Sequence, residues 1–153
     1  KVILGLVIFQ GCYTSTLKAI KIHDVNLEGG RIHLPQTKRI NARNLPLEPS
    51  QIFLIQRYLI KRQEIQTNSE ALFLELMDNT LSHLRINLMK INPKVENIRQ
   101  LRASAIVNWL KVYNIREVQY FCGHRSITST ENYLMQDVEE LRRSLGDFHP
   151  LVK

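Results

Sequence analysis

The sequence predicts a mostly helical α+β domain with a small three-stranded antiparallel sheet near its N-terminus. Apolar residues recur at three- and four-residue spacing in several segments, which is typical of amphipathic helices. Three short apolar or alternating segments between residues 20 and 47 indicate strands instead. The 153 residues, of which 44% are hydrophobic and 23% charged, are enough for one globular domain with its own core.

The chain opens with an apolar segment, residues 1–9, that predicts a buried helix ended by Gly11. The segment is far shorter than the ~20 apolar residues that a membrane span needs, and no clear signal-peptide cleavage site follows it. Thr14, Ser15 and Thr16 are expected to cap a short second helix over residues 17–20. Because the chain starts so abruptly in an apolar segment, it resembles an excised domain.

The predicted sheet comprises residues 20–25, 31–34 and 42–47. Glu28-Gly29-Gly30 supplies the turn between the first two strands, because glycine tolerates the backbone angles of a tight turn. Residues 36–41 form the second turn, which carries Lys38 and Arg39.

Four further helices are predicted before the C-terminal segment. They cover residues 49–64, 78–91, 101–113 and 115–121. Asn92-Pro93 stops the second of them, and Gly123 ends the fourth. Trp109 and Tyr113 lie on the apolar face of the third helix, and both are expected in the core. A charged helix over residues 136–145 is either an interaction element or a solvated surface helix.

The net charge of +7, from 21 Lys and Arg against 14 Asp and Glu, fits a nucleic-acid-binding surface. A basic but merely solvated surface would give the same value. Cys12 and Cys122 lie in apolar segments without partners at metal-ligand spacing. We therefore expect two buried thiols in a reducing compartment and no metal or other cofactor.

Arg102, His124 and Tyr133 are separated by amphipathic helical sequence, and together they have the chemistry to act on a phosphodiester. Arginine binds phosphate oxygens with a fixed set of donors, histidine donates a hydrogen bond or moves a proton, and a tyrosine hydroxyl can attack phosphorus. Taken singly, each is more often an ion pair, a cap or a packed ring.

The sequence motif around these residues is more specific than the three residues taken singly. Leu101-Arg102, followed by Val118-Gln119 through Gly123-His124 and Ser126-Ile127 to Tyr133, resembles the signature of the tyrosine recombinase, or phage integrase, family. The resemblance covers nearly the whole chain. It implies that residues 1–153 are a single catalytic domain and that the family's N-terminal core-binding domain is absent from this chain.

The resemblance implies site-specific DNA cleavage and rejoining through a 3′-phosphotyrosyl intermediate, without metal or ATP. Tyr133 would be the nucleophile, Arg102 and His124 would stabilise the transition state, and Lys38 would protonate the leaving oxygen. Arg39 is the competing candidate for that acid, and ordinary solvated hairpin charges are the plain alternative for both. The expected DNA contacts are Lys38, Arg39, Arg43 and Arg125. The implied partner is double-stranded DNA in the cytoplasm, not a membrane. A homotetramer is expected on DNA, with a monomer as the alternative for the isolated domain.

The chain departs from the family pattern at three positions. Tyr13 stands where the first catalytic arginine belongs, Thr16 where an acidic residue belongs, and Arg99 where the histidine three residues before Arg102 belongs. Loss of one preorganised donor typically costs ~3 kcal/mol of transition-state stabilisation. Arg99 is the candidate for replacing the histidine's hydrogen bonds.

Three functions therefore remain open from the sequence. The first is an active recombinase, the second is a recombinase-derived DNA-binding or regulatory module that no longer cuts efficiently, and the third is a helical binding protein unrelated to DNA.

Overall fold

The structure is a computed structural model and describes residues 1–65, 68–74, 77–93, 95 and 97–135. Its named helices, in chain order, are α1 (Val2–Gln10), α2 (Thr14–Ala19), α3 (Pro49–Gln63), α4 (Met77–Ile91), α5 (Ile98–Leu110) and α6 (Ile115–Cys122). Residues 128–135 are helical as well. The strands are β1 (Val25–Asn26), β2 (Arg31–Leu34) and β3 (Arg43–Pro46). The mostly helical α+β prediction is confirmed.

The sheet is antiparallel with the order β1-β2-β3. Ile32 pairs with Val25 on one side and with Leu45 on the other, so apolar residues line up across one face. Ile32 and Leu45 are buried in the main core together with residues of α1, α2 and α3. The sheet therefore packs as a small layer against the N-terminal helices.

The first strand is much shorter than predicted. Residues 22–24 form a 3₁₀ turn, and only Val25–Asn26 pair with β2. The Lys21 amide donates to the Asp24 carboxylate at 2.7 Å, and this local hydrogen bond draws the backbone into a turn. The start of the predicted strand pairs with a segment near residue 72 instead of with β2, since the Leu72 amide donates to the Ile20 carbonyl at 2.9 Å.

The start of α2 also differs from the prediction. Thr14, Ser15 and Thr16 form the first turn of the helix instead of preceding it, and Tyr13 is the N-cap residue. The Leu17 amide donates to the Tyr13 carbonyl at 2.9 Å, so the helix begins three residues earlier than expected.

Helices α3 to α6 follow the predicted order. Gly11 and Gly123 end α1 and α6 in the left-handed conformation, with φ of 57° and 67°. Trp109 is partly buried against the smaller core cluster, as expected of a core residue. Tyr113 lies beyond the end of α5 and is 44% exposed, so its predicted place on the core face is wrong. The predicted helix over residues 136–145 lies outside the described residues.

Candidate active site

Arg102 is the centre of the site and is only 2% exposed. It lies in the second turn of α5, whose start is fixed by Asn97, since the Asn97 side chain accepts from the Gln100 amide. The guanidinium donates from Nε to the Gly11 carbonyl at 2.8 Å and from Nη2 to the Cys122 carbonyl at 3.3 Å. These bonds fix its plane between the C-terminal ends of α1 and α6.

His124 is placed beside Arg102 by the left-handed Gly123 that ends α6. Its Nε2 lies 3.2 Å from Arg102 Nη2, and its Nδ1 lies 2.9 Å from the Thr130 hydroxyl oxygen. Because a guanidinium can only donate, Nε2 accepts and Nδ1 carries the proton that is donated to Thr130. Burial, followed by the charges of Arg102 and Arg43, lowers the pKa of His124 to about 4. The imidazole is therefore neutral at physiological pH.

Tyr133 lies on the helical residues 128–135 and completes the group. Its hydroxyl oxygen accepts from Arg102 Nη1 at 3.3 Å. Its ring is stacked nearly parallel to that of His124, with 6.0 Å between ring centroids and 10° between planes. Burial raises the pKa of Tyr133, whereas the nearby charge of Arg102 opposes the rise. The phenol is thus protonated and in contact with a cation that can stabilise its anion.

The β2–β3 turn that carries Lys38 lies against this group. Thr37 and Ile40 close the turn by a backbone hydrogen bond of 2.9 Å, and Ile40 forms an isolated bridge with His124. Arg125 Nη2 donates to the Thr37 carbonyl at 3.2 Å. Lys38 and Arg39 are exposed at the tip, so the turn presents two cations next to the His124 segment.

Arg43 has a different position from the one expected of a DNA contact. It is 2% exposed, and its Nε donates to the Phe121 carbonyl at 2.7 Å. Arg43 shares the inward face of β3 with Leu45, so it ties the strand to the end of α6 instead of reaching solvent. Burial lowers its pKa, and Arg102 adds to this effect. The predicted direct DNA contact of Arg43 is therefore corrected to a structural role beneath the site.

Arg99 is exposed and lies one helical turn before Arg102 on α5. No hydrogen bond joins it to Arg102, His124 or Tyr133 among the described residues. The structure thus brings Arg102, His124 and Tyr133 together, sets the Lys38 turn beside them and leaves Arg99 outside.

Sequence reasoning missed three parts of the site. Thr130 is fully buried and orients His124 through its hydroxyl. The Gly11 carbonyl holds Arg102 Nε. The ring of Tyr13 lies over the Arg102 guanidinium, with 3.7 Å between Cζ and the ring centroid. Two of the three had a sequence signal: Thr130 lies within the motif that runs from Ser126 to Tyr133, and Tyr13 occupies the position of the family's first arginine.

The thiols of Cys12 and Cys122 are free and buried, as predicted. Burial raises their pKa to about 12 and about 11 respectively. Within the described part of the chain, no cluster of three or more His, Cys, Asp and Glu side chains could hold a metal ion.

The family model of the phage integrase family matches residues 1–140. The chain belongs to the phage integrase family. A tyrosine recombinase XerA from Pyrococcus horikoshii is 30% identical over 154 residues, covering 95% of this chain and 53% of the relative. The chain therefore spans about half the length of the curated relatives that it matches.

Two solved structures have the same fold. A crystal structure of XerA recombinase superimposes with a TM-score of 0.75 at 22% identity, over 97% of this chain and 57% of that one. The integrase of transposon Tn1549, in complex with transposon right end DNA, gives a TM-score of 0.69 at 18% identity, over 93% of this chain and 57% of that one. Among the described helices, none is long and apolar enough to cross a membrane.

Proposed function

We propose that this chain is the catalytic domain of a site-specific DNA recombinase that cuts and rejoins DNA through a 3′-phosphotyrosyl intermediate. The observation that carries the proposal is that His124 and Tyr133 both lie within hydrogen-bonding distance of Arg102, although the three residues come from three separate segments of the chain. Membership of the phage integrase family supports the same chemistry. It also argues against a helical protein unrelated to DNA.

In the proposed step, the Tyr133 hydroxyl oxygen attacks the phosphorus of one strand and gives up its proton to water, while Lys38 supplies the proton that the leaving 5′ oxygen takes up. The bond between phosphorus and the 5′ oxygen breaks, which leaves a 3′-phosphotyrosyl link and a free 5′ hydroxyl. The 5′ hydroxyl of a partner strand then attacks the same phosphorus and releases Tyr133. Because the covalent link conserves the phosphodiester bond energy, the proposed reaction needs neither ATP nor a metal.

Arg102 would stabilise the charge that develops on the phosphorus oxygens. Nη1 bears two N–H groups, and Tyr133 accepts one of them, so the second can point at a phosphate oxygen next to the nucleophile. A bound phosphate would also favour the charged form of His124, because a nearby opposite charge raises the pKa of a base. Protonated on Nε2, His124 would become a second donor to the transition state.

Lys38 would be the general acid that protonates the leaving 5′ oxygen. Its turn is fixed to the His124 segment by the hydrogen bond from the Asn41 amide to the Gly123 carbonyl, 2.8 Å long. A general acid has to keep within reach of the leaving group, and this attachment limits how far the turn can move. We propose Arg39 and Arg125 as contacts to flanking phosphates.

The proposed partner is double-stranded DNA. A net charge of +7 and the exposed cations of the Lys38 turn support it. The Tn1549 integrase, a structural neighbour, was solved in complex with transposon right end DNA. We propose a monomer for the isolated chain, a homotetramer when the protein is assembled on DNA, and a cytoplasmic location.

The second candidate is a DNA-binding module that no longer cuts. The exposed Arg99, which forms no hydrogen bond with Arg102, His124 or Tyr133 within the described residues, and the loss of arginine at position 13 favour it. Both candidates bind DNA, so their salt dependence is the same and steep. Only the first forms a covalent adduct.

Covalent trapping tests the proposal. The chain is incubated with a pool of nicked duplexes of randomised sequence, and denaturing gels detect protein-linked DNA. On a nicked substrate the short fragment bearing the 5′ hydroxyl diffuses away, so the adduct accumulates. We expect an adduct with the wild type and none with Tyr133→Phe. Salt-sensitive binding without an adduct would favour the non-cutting module.

A further inference from the structure

Tyr13 contacts Arg102 of the proposed catalytic group, although it occupies the position where the family pattern has its first arginine. The segment from Gly11 to Tyr13 wraps around Arg102. The Gly11 carbonyl holds the edge of the guanidinium at Nε, and the Tyr13 ring covers one face at 3.7 Å. One three-residue segment thus supplies both contacts to Arg102.

Arg102 has no carboxylate partner among the described residues. The ion pairs described there, Lys18 with Asp78 and Lys21 with Glu70, lie on exposed side chains. A buried and unpaired cation is costly, whereas the negative face of an aromatic ring attracts a guanidinium. The Tyr13 ring is therefore the group that offsets the burial of this charge on the side facing α2.

Thr16 is a second position near the start of α2 where this chain lacks a charge that the family pattern has. It is fully buried on α2, and its hydroxyl oxygen has no hydrogen-bond partner among the described residues. An arginine at position 13 would place a second cation beside Arg102, and Thr16 offers no negative charge to balance it. Replacing the arginine by an aromatic ring and the acid by a hydroxyl removes both charges together.

We propose that Tyr13 is a positioning residue whose ring, in place of the missing arginine, holds the Arg102 guanidinium in the plane from which it reaches Tyr133 and a DNA phosphate. The inference rests on the proposed function. A ring stacked on the face of a guanidinium leaves the N–H groups at its edge free, so the support does not compete with phosphate.

The ring and the hydroxyl of Tyr13 have separable effects. The ring touches Arg102, whereas hydrogen bonding from the hydroxyl is a minor contribution, after burial, to the raised pKa of Tyr133. Tyr13→Phe keeps the ring and removes the hydroxyl. Tyr13→Leu removes both while keeping an apolar side chain. Tyr113→Leu is a matched control, because it removes a half-exposed ring that packs on Phe121.

The test measures the rate of adduct formation on nicked duplexes at saturating protein, together with the dissociation constant for intact duplex. We expect Tyr13→Phe and Tyr113→Leu to stay within about threefold of wild type. We expect Tyr13→Leu to fall by about tenfold or more in rate while its dissociation constant changes by less than about twofold, because only a transition-state contact is disturbed. In Tyr13→Phe the pH midpoint of the rate should move down, since one cause of the raised Tyr133 pKa is gone. Equal rates for the Phe and Leu variants would overturn the proposal.

Thermal unfolding provides a readout that does not depend on cleavage. In a double-mutant cycle, Tyr13→Leu should lower Tm when Arg102 is present and have little effect in an Arg102→Met background. Additive shifts would overturn the proposal. If the wild type forms no adduct, the proposed function fails, and this cycle still decides whether Tyr13 supports Arg102.

The opposite substitution gives a second check. Tyr13→Arg alone should lower Tm, because it adds a cation beside Arg102, and adding Thr16→Glu should recover it. The double variant should also cleave faster than wild type, because it restores the charge pair of the family pattern. A single Tyr13→Arg variant as stable as wild type would show that the ring is not needed to balance the charge of Arg102.

Discussion

Arg102 donates a hydrogen bond from Nη1 to the hydroxyl oxygen of Tyr133, 31 residues further along the chain, at 3.3 Å. This bond joins α5 to the helical residues 128–135. The cation that would stabilise the attacked phosphate therefore already touches the proposed nucleophile. It holds the phenol oxygen where its anion would be stabilised as the proton leaves.

Arg102→Lys should abolish most adduct formation. A lysine keeps the charge but cannot donate hydrogen bonds in one plane to all four partners of the guanidinium, which are the Gly11 carbonyl, the Cys122 carbonyl, His124 and Tyr133. We expect a loss of about two to three powers of ten in the trapping rate. Arg125→Lys, at an exposed arginine next to His124, is the matched control and should change the rate by less than about tenfold. Similar losses for both variants would refute a special role for Arg102.

Stability should fall as the pH drops from about 6.5 to about 4, because the pKa of His124 is lowered to about 4 in the folded protein. The unfolded chain binds this proton near its ordinary pKa, so protonation favours unfolding across that window and adds nothing below it. The contribution is ~2 kcal/mol once partial solvent screening is allowed for. Urea unfolding should show a decrease in the free energy of unfolding over this pH window that is clearly larger in the wild type than in His124→Gln. His23→Gln, at an exposed histidine, should keep the wild-type decrease.

Lys38→Ala should slow cleavage of ordinary DNA by about 10²- to 10⁴-fold if its ammonium protonates the leaving oxygen. A substrate with sulfur in place of the bridging 5′ oxygen should restore the rate, since a thiolate leaves without a proton. Arg39→Ala, one residue away on the same turn, should respond equally to both substrates. Rescue of the Arg39 variant alone would reassign the acid to Arg39.

Gly123→Ala should destabilise the fold by more than ~2 kcal/mol. The residue has φ of 67°, and an added Cβ would lie 2.7 Å from the Ile40 side chain and 2.8 Å from Arg43 Nη1. Gly30→Ala is the matched control, since it has φ of 59° and its nearest contact is at 3.8 Å. It should cost only the ~1 kcal/mol of backbone strain. Equal unfolding free energies for the two variants would contradict the tight docking of the Lys38 turn.

Much of the fold follows from periodicity and from Gly11 and Gly123, because those signals act locally. The first strand was predicted too long because the Asp24 carboxylate accepts a hydrogen bond from the Lys21 amide. This local bond favours a turn over the strand that the apolar pattern predicts. The prediction that Tyr113 lies on the core face was wrong because α5 ends at Leu110, so helical periodicity does not extend to residue 113.

The site was predicted from the family resemblance, and its geometry adds what the resemblance could not give. Alternation along β3 already placed Arg43 on the inward face with Leu45, a signal for burial that its positive charge obscured. The stacking of Tyr13 on Arg102 joins residues from different helices. It depends on how α1, α2 and α5 pack, which no local pattern records.

We propose that Tyr133, and not another tyrosine, attacks the DNA. Tyr13 touches the same Arg102, so the claim is open to a direct test. The trapped adduct is digested with nuclease and protease, and mass spectrometry locates the remaining nucleotide. We predict a nucleotide linked through its 3′ phosphate to the peptide that contains Tyr133, and a 5′ hydroxyl on the released fragment. A nucleotide on the Tyr13 peptide would rule out Tyr133 as the nucleophile, and a link through a 5′ phosphate would rule out the 3′-phosphotyrosyl intermediate.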